Sequence, residues 1–228
     1  MGISEKAGEI FITVVKNSSF DLDDIYSGAK NESLSSWKTR QNAMVTGSGA
    51  AAVSIPGLHL VGMAADIAFV LNRMGTASYG VGAIIGYDND YGNIMEEDDF
   101  ELILAYWAND REIIEAMKGK VAADLSAKIA AKFSTKLLGK EAAKVLTQTM
   151  LSSVAQLAAK KATGKMLSKP AVKFASKFAA KGLGGFVPIL GAAVGGGINL
   201  WLLNGIQDAA EEFYVDKVNL AKQIALYA

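Results

Sequence analysis

His59, Asp66 and Arg73 pose the first chemical question. They are spaced seven apart in the stretch LHLVGMAADIAFVLNRM, residues 58–74. Seven residues turn about 700°, some 20° short of two full turns, so all three project from nearly one helical face. The residues around them are Leu, Val, Ala, Ile and Phe, and polar groups in apolar surroundings have to be paired. Neighbours in this row are about 10 Å apart along the axis, so a second helix is predicted to bridge them. Asn199 and Asn204, then Asp208, are the residues best placed by sequence to do so. Such a row serves as a structural polar seam or as a ligand, ion or proton site. An ionisable group on a long apolar segment adds weight to the second use.

Other chemistry is hard to build from this chain. It has one histidine and no cysteine, which excludes disulfides and thiolate nucleophiles. HExxH, GxSxG, GxGxxG and a Walker A loop are all absent. The acidic stretch YDNDYGNIMEEDD (87–99) has the acids of a calcium loop. Counted from Asp88, however, its glycine falls at the fifth position rather than the sixth, which breaks the EF-hand spacing. No catalytic residue, metal ligand or cofactor is assigned. The inventory leans away from catalysis, with a soluble ligand-binding domain or enzyme at His59, Asp66, Arg73 and Asn199 as the alternative.

Lysine is the second chemical feature. The net charge of zero hides a partition. Residues 1–116 carry 7 Lys and Arg against 17 Asp and Glu, while residues 117–181 carry 14 Lys against 2 acids. Within the basic segment lysines recur every four residues, at 128, 132, 136, 140 and 144, and again from 161 to 181. The opposite face holds Ile129, Phe133, Leu137, Leu138, Phe174 and Phe178. A helix with lysine on one side and Phe, Leu and Ile on the other is an interfacial anchor for anionic lipid. Lys128, Lys132, Lys136, Lys161, Lys165, Lys169, Lys173 and Lys177 are the predicted membrane-surface residues. The alternative is a solvated face, or a complement to the acidic half. Nucleic acid is not the predicted partner, because the basic segment has no arginine and few aromatic residues.

The elements that must position these groups read as helices. Three prolines in 228 residues and abundant Ala, Leu and Lys favour helix over sheet. Residues 5–16 form a short amphipathic helix, with a β-branched IFITVV run that leaves a strand open. Asp21–Asp24 offers a cap for a helix carrying Tyr26, and a second helix carries Trp37 and ends near Thr46. GSGAAAVSIPG (47–57) is a flexible break. An apolar helix follows from 58, continuing toward Gly86, and a helix at about 96–117 comes after the acidic loop. Pro170 is predicted to break the second lysine run, and Pro188 to open a helix that ends near Trp201. The last helix, about 206–226, carries a buried stripe of Ile206, Ala209, Ala210, Phe213 and Val218. Residues 182–207 form 26 uncharged residues with eight glycines, long enough to cross a bilayer. Their small-xxx-small pairs, such as Gly191 with Gly195, suit close helix packing.

Two stretches resemble known signatures. SGAAAVSIPGLHLVGMAADIAFVLNRMGTASYGVGAIIGYD (48–88) resembles the glycine-rich N-terminal signature of the EcsC family. FVPILGAAVGGGINLWLLNGIQDAAEEFY (186–214) resembles its C-terminal signature. The resemblance covers about a third of the chain and leaves out the basic middle. It implies an all-helical bacterial protein without established catalysis, of a family whose founding member is associated with a transporter operon. It puts Asp66, Arg73 and Asn199 on polar signature positions and carries no catalytic role onto them.

The expectation is therefore a single all-α domain over residues 1–228. Glycine-rich elements at 47–86 and 182–226 form its core, and 119–181 is a basic amphipathic insertion. The polar seam holds His59, Asp66, Arg73, Asn199 and Asp208. The expected function is non-enzymatic association with anionic lipid, as a membrane-perturbing, pore-forming effector or a transporter accessory. An immunity or transporter protein and self-association are the further partners considered. The first residues have no basic n-region and too short an apolar run for a leader. Cytoplasmic residence, peripheral to or inserting into the membrane, is expected.

Overall fold

The computed structural model describes residues 3–52, 59–116, 165–184 and 188–226. The fold is all-α: every regular element among the described residues is helical. The elements are α1 (Ile3–Asn17), α2 (Leu22–Ala29), α3 (Leu34–Ala52), α4 (His59–Asp88), α5 (Asp99–Trp107), a 3-10 turn (Lys165–Leu167), α6 (Ser168–Gly184) and α7 (Pro188–Leu226). Residues 111–116 are also helical.

Local chemistry explains most of these boundaries. Ala7, Phe11 and Val15 recur every four residues on α1 and are all buried, so the IFITVV run is read as helix by its buried stripe rather than by β-propensity. Asp21 caps α2 by accepting from the Asp24 backbone N–H at 3.0 Å. Ser33 does the same for α3 through the Ser36 N–H at 3.2 Å. Pro170 lies in the first turn of α6 and Pro188 opens α7, where a missing N–H costs nothing. Gly92, at φ +70°, closes the loop after α4.

Three boundaries differ from expectation. α3 runs through GSGAAA to Ala52 rather than ending near Thr46. The helix expected over 96–117 is interrupted at 108–110, where Asn109 adopts a φ of 54° and Ala108 and Asn109 close the turn on Leu104 and Tyr106. The two helices expected at 188–201 and 206–226 are one helix of 39 residues. Conversely, the uncharged stretch 182–207 is shared between the end of α6 and the start of α7. No helix among the described residues is long and apolar enough to cross a membrane.

Among the described residues α4 and α3 both pack extensively against α7, and α3 also packs against α4. α3 is antiparallel to each, since Trp37 meets Ala77 and Gly80 while Gln41 meets Arg73, and Lys38 reaches Asp208 and Glu211 while Asn42 meets Asn204. α5 packs against α7, and α1 pairs with α6 through Phe11 and Phe174, whose rings lie 4.9 Å apart. The predicted stripe Ile206, Ala209, Ala210, Phe213 and Val218 is buried.

Candidate functional site

At the C-terminal end of the row on α4, Arg73 turns to α3. Arg73 donates through Nη2 to the Gln41 side-chain oxygen and to the Met44 sulfur, both on α3. Gln41 is buried. Burial, and then the nearby Arg40 charge, lowers the Arg73 pKa. Of the three α7 residues expected to bridge this row, Asn204 and Asp208 turn to α3. Asn204 accepts from Asn42 at 2.7 Å, and Asp208 accepts from Lys38 at 3.0 Å. Lys38 also reaches Glu211 at 2.7 Å. Burial of Lys38 works against its charge, but these two carboxylates outweigh it and raise its pKa. Asp66 is half-buried on α4 and Asn199 is buried on α7. His59 is the first residue of α4, and its side chain lies outside the described residues. α3 thus supplies polar partners both to Arg73 of α4 and to Asn204 and Asp208 of α7. Gln207, buried on α7, has neither amide atom hydrogen-bonded among the described residues.

A second polar centre joins α5 to α7 and has no counterpart in the sequence reading. Lys217 donates to both oxygens of Asp99, at 3.0 and 2.9 Å, and the side chains are only 3% and 1% exposed. Asp99 also accepts from the Glu96 N–H at 2.9 Å, tying the turn before α5. Burial pushes the Asp99 carboxyl up, and the Lys217 charge and hydrogen bonds oppose that rise without cancelling it. The Lys217 ammonium stands 5.5 Å from the Phe213 ring centre and 5.8 Å from that of Tyr214. Tyr79 donates to the Glu97 carbonyl at 2.7 Å and accepts from the Phe100 N–H at 3.3 Å. A signal for this centre was available: Lys217 is four residues after Phe213, on the apolar stripe, and a charge on a buried stripe requires a partner.

The third feature is a corner where α5, α6 and α7 meet. Lys169 pairs with buried Asp110 at 2.8 Å. Lys173 donates to the Trp107 carbonyl and lies 4.4 Å from the Trp107 ring centre and 6.0 Å from that of Trp201. Lys177 lies 4.8 Å from the Trp201 ring centre. The two indoles meet edge to face at 6.0 Å. Burial, then repulsion from Lys177, lowers the Lys173 pKa. Lys165 is exposed on the turn that leads into α6. Lys128, Lys132, Lys136 and Lys161 lie outside the described residues.

Comparison of the chain with family models, curated proteins and solved structures finds no match. The EcsC resemblance therefore rests on residues 48–88 and 186–214 alone.

Proposed function

We propose that this chain is a non-enzymatic helical protein that associates with anionic membrane surfaces through its lysine-rich region. One observation supports the reading most: α6 gathers several lysines on one helix that carries no acid of its own. Lys38, Arg40 and Lys217 each pair with a carboxylate, whereas Arg73 and Lys222 bind neutral side chains. α6 carries lysines 169, 173, 177 and 181 and no acid. Of its three lysines with described side chains, only Lys169 has a carboxylate partner among the described residues. A surface with uncompensated ammonium groups attracts acidic phospholipid, at about 1 kcal/mol per lysine near the membrane. The packed helical body then serves as a rigid support, and binding needs no membrane-spanning helix.

The test is vesicle flotation of the full chain across a salt series. The chain should float with vesicles containing phosphatidylglycerol and not with pure phosphatidylcholine. Binding should weaken as salt shortens the screening length from about 10 Å at 0.1 M to about 3 Å at 1 M. Lys165→Gln with Lys177→Gln should lower binding roughly tenfold or more at low salt, since neither lysine has a carboxylate partner among the described residues. Equal recovery with neutral and acidic vesicles, or none with either, would remove the reading.

A further inference from the structure

Trp201 is 40% exposed, whereas Trp37 and Trp107 are 3% and 4% exposed. Large aromatic side chains favour burial, and this one stands at the edge of α7 instead. Its surroundings are specific. Trp107 supports one edge of the ring, and the ammoniums of Lys173 and Lys177 lie beside it. These ammoniums sit one helical turn apart on α6 and repel each other. Neither has a carboxylate partner among the described residues. Lys173 is half-buried and anchored to the Trp107 carbonyl, so it is held in place.

Indole has an apolar body and one N–H, which suits the depth of a lipid headgroup layer. Two neighbouring cations suit a phosphate, and an anion between them relieves their repulsion. We propose that Trp201, flanked by Lys173 and Lys177, is the point at which the chain docks on an anionic phospholipid surface. The indole enters the level of the glycerol backbone and the two ammoniums engage lipid phosphate. This rests on the membrane reading above and narrows it to one corner of the molecule. A nucleic-acid phosphate fits less well, because α6 has no arginine to bind it bidentately.

The experiment is intrinsic tryptophan fluorescence of the full chain. The probes are phosphatidylglycerol vesicles with brominated acyl chains and a single-stranded oligonucleotide. With Trp37 and Trp107 buried, Trp201 should dominate any change on binding. Vesicles should shift the emission to the blue and the bromines should quench it. Trp201→Phe should abolish the response while leaving helical circular dichroism and melting temperature unchanged. Lys173→Gln with Lys177→Gln should raise the lipid concentration for half-maximal response roughly tenfold. Flotation with no quenching by brominated chains would overturn this docking point and leave the membrane reading standing. Absence of flotation would overturn both. Quenching by the oligonucleotide but not by vesicles would overturn both in favour of nucleic acid.

Discussion

Asp99 and Lys217 form an ion pair with almost no water around it. Removing both charges from water is expensive, and their attraction offsets that cost only while both are present. Asp99→Asn or Lys217→Met alone should lower the unfolding free energy by about 3–5 kcal/mol, measured by urea denaturation. Replacing both, as Asp99→Leu with Lys217→Met, should recover most of the loss, since an apolar pair of similar size needs no hydration. Single variants that lose less than about 1 kcal/mol, the scale of an exposed pair, would show that water reaches the site. The contrast with the α4 row shows what residue spacing can reveal. The seven-residue repeat of His59, Asp66 and Arg73 identified a helical face. It could not identify the helix across from that face. α3 supplies Gln41 from a sequence, LSSWKTRQNAMV, that mixes polar and apolar residues too evenly to mark its inward side. Asp99 was legible only as an acid in a first helical turn, because its partner is 118 residues away.

Helix type was legible because buried residues recur at helical spacing; helix ends were less so. The break at 108–110 contains no Gly or Pro. It is held by Asn109 in a left-handed conformation and by buried Asp110 bound to Lys169, a tertiary cause. The glycines were legible as packing residues, but their partners were not. On α4 a Cβ at Gly75 would meet the Phe20 ring, at Gly80 the Trp37 ring and at Gly82 the Tyr214 ring. On α7 a Cβ at Gly205 would lie 2.8 Å from the Trp107 Nε1. These glycines are notches for aromatic side chains. The packing they permit outweighs the roughly 1 kcal/mol that glycine costs within a helix, which is why α7 continues unbroken past Gly205. Gly197 has nothing among the described residues within 4 Å of such a Cβ. The two kinds of glycine should therefore respond oppositely to alanine. Gly82→Ala should destabilise by about 1–3 kcal/mol through overpacking against Tyr214. Gly197→Ala should stabilise by about 0.4–1 kcal/mol through reduced freedom of the unfolded chain. Thermal melts of the two variants decide it. Equal destabilisation of both would mean that Gly197 also faces a packed neighbour.

For the whole molecule, three tyrosines tie its central helices together and make its stability sensitive to alkali. Tyr79 joins α4 to the start of α5, and Tyr106 donates from α5 to Asp216 of α7 at 2.9 Å. Tyr214 is fully buried on α7. Each hydroxyl has its pKa raised, first by burial. Negative neighbours add to the rise: Asp99 for Tyr79 and Tyr214, and Asp216 for Tyr106. In the unfolded chain each would ionise near its ordinary value of 10.0. The folded state therefore keeps protons that the unfolded state releases. Their contribution is fully present below pH 10 and is lost as pH rises above it. Tyr79 and Tyr214 should each lower stability by up to about 1.4 kcal/mol per pH unit in that range. Tyr106 should contribute less, because Asp216 is partly hydrated. Urea denaturation at pH 8, 10 and 11 should show a midpoint that is flat at first and then falls steeply. Tyrosinate absorbance should rise for these three of the chain's seven tyrosines only together with the loss of helical circular dichroism. Tyr106→Phe removes one releasable proton and should flatten the slope. Smooth ionisation of all seven tyrosines with helix content intact would mean that water already reaches these three hydroxyls.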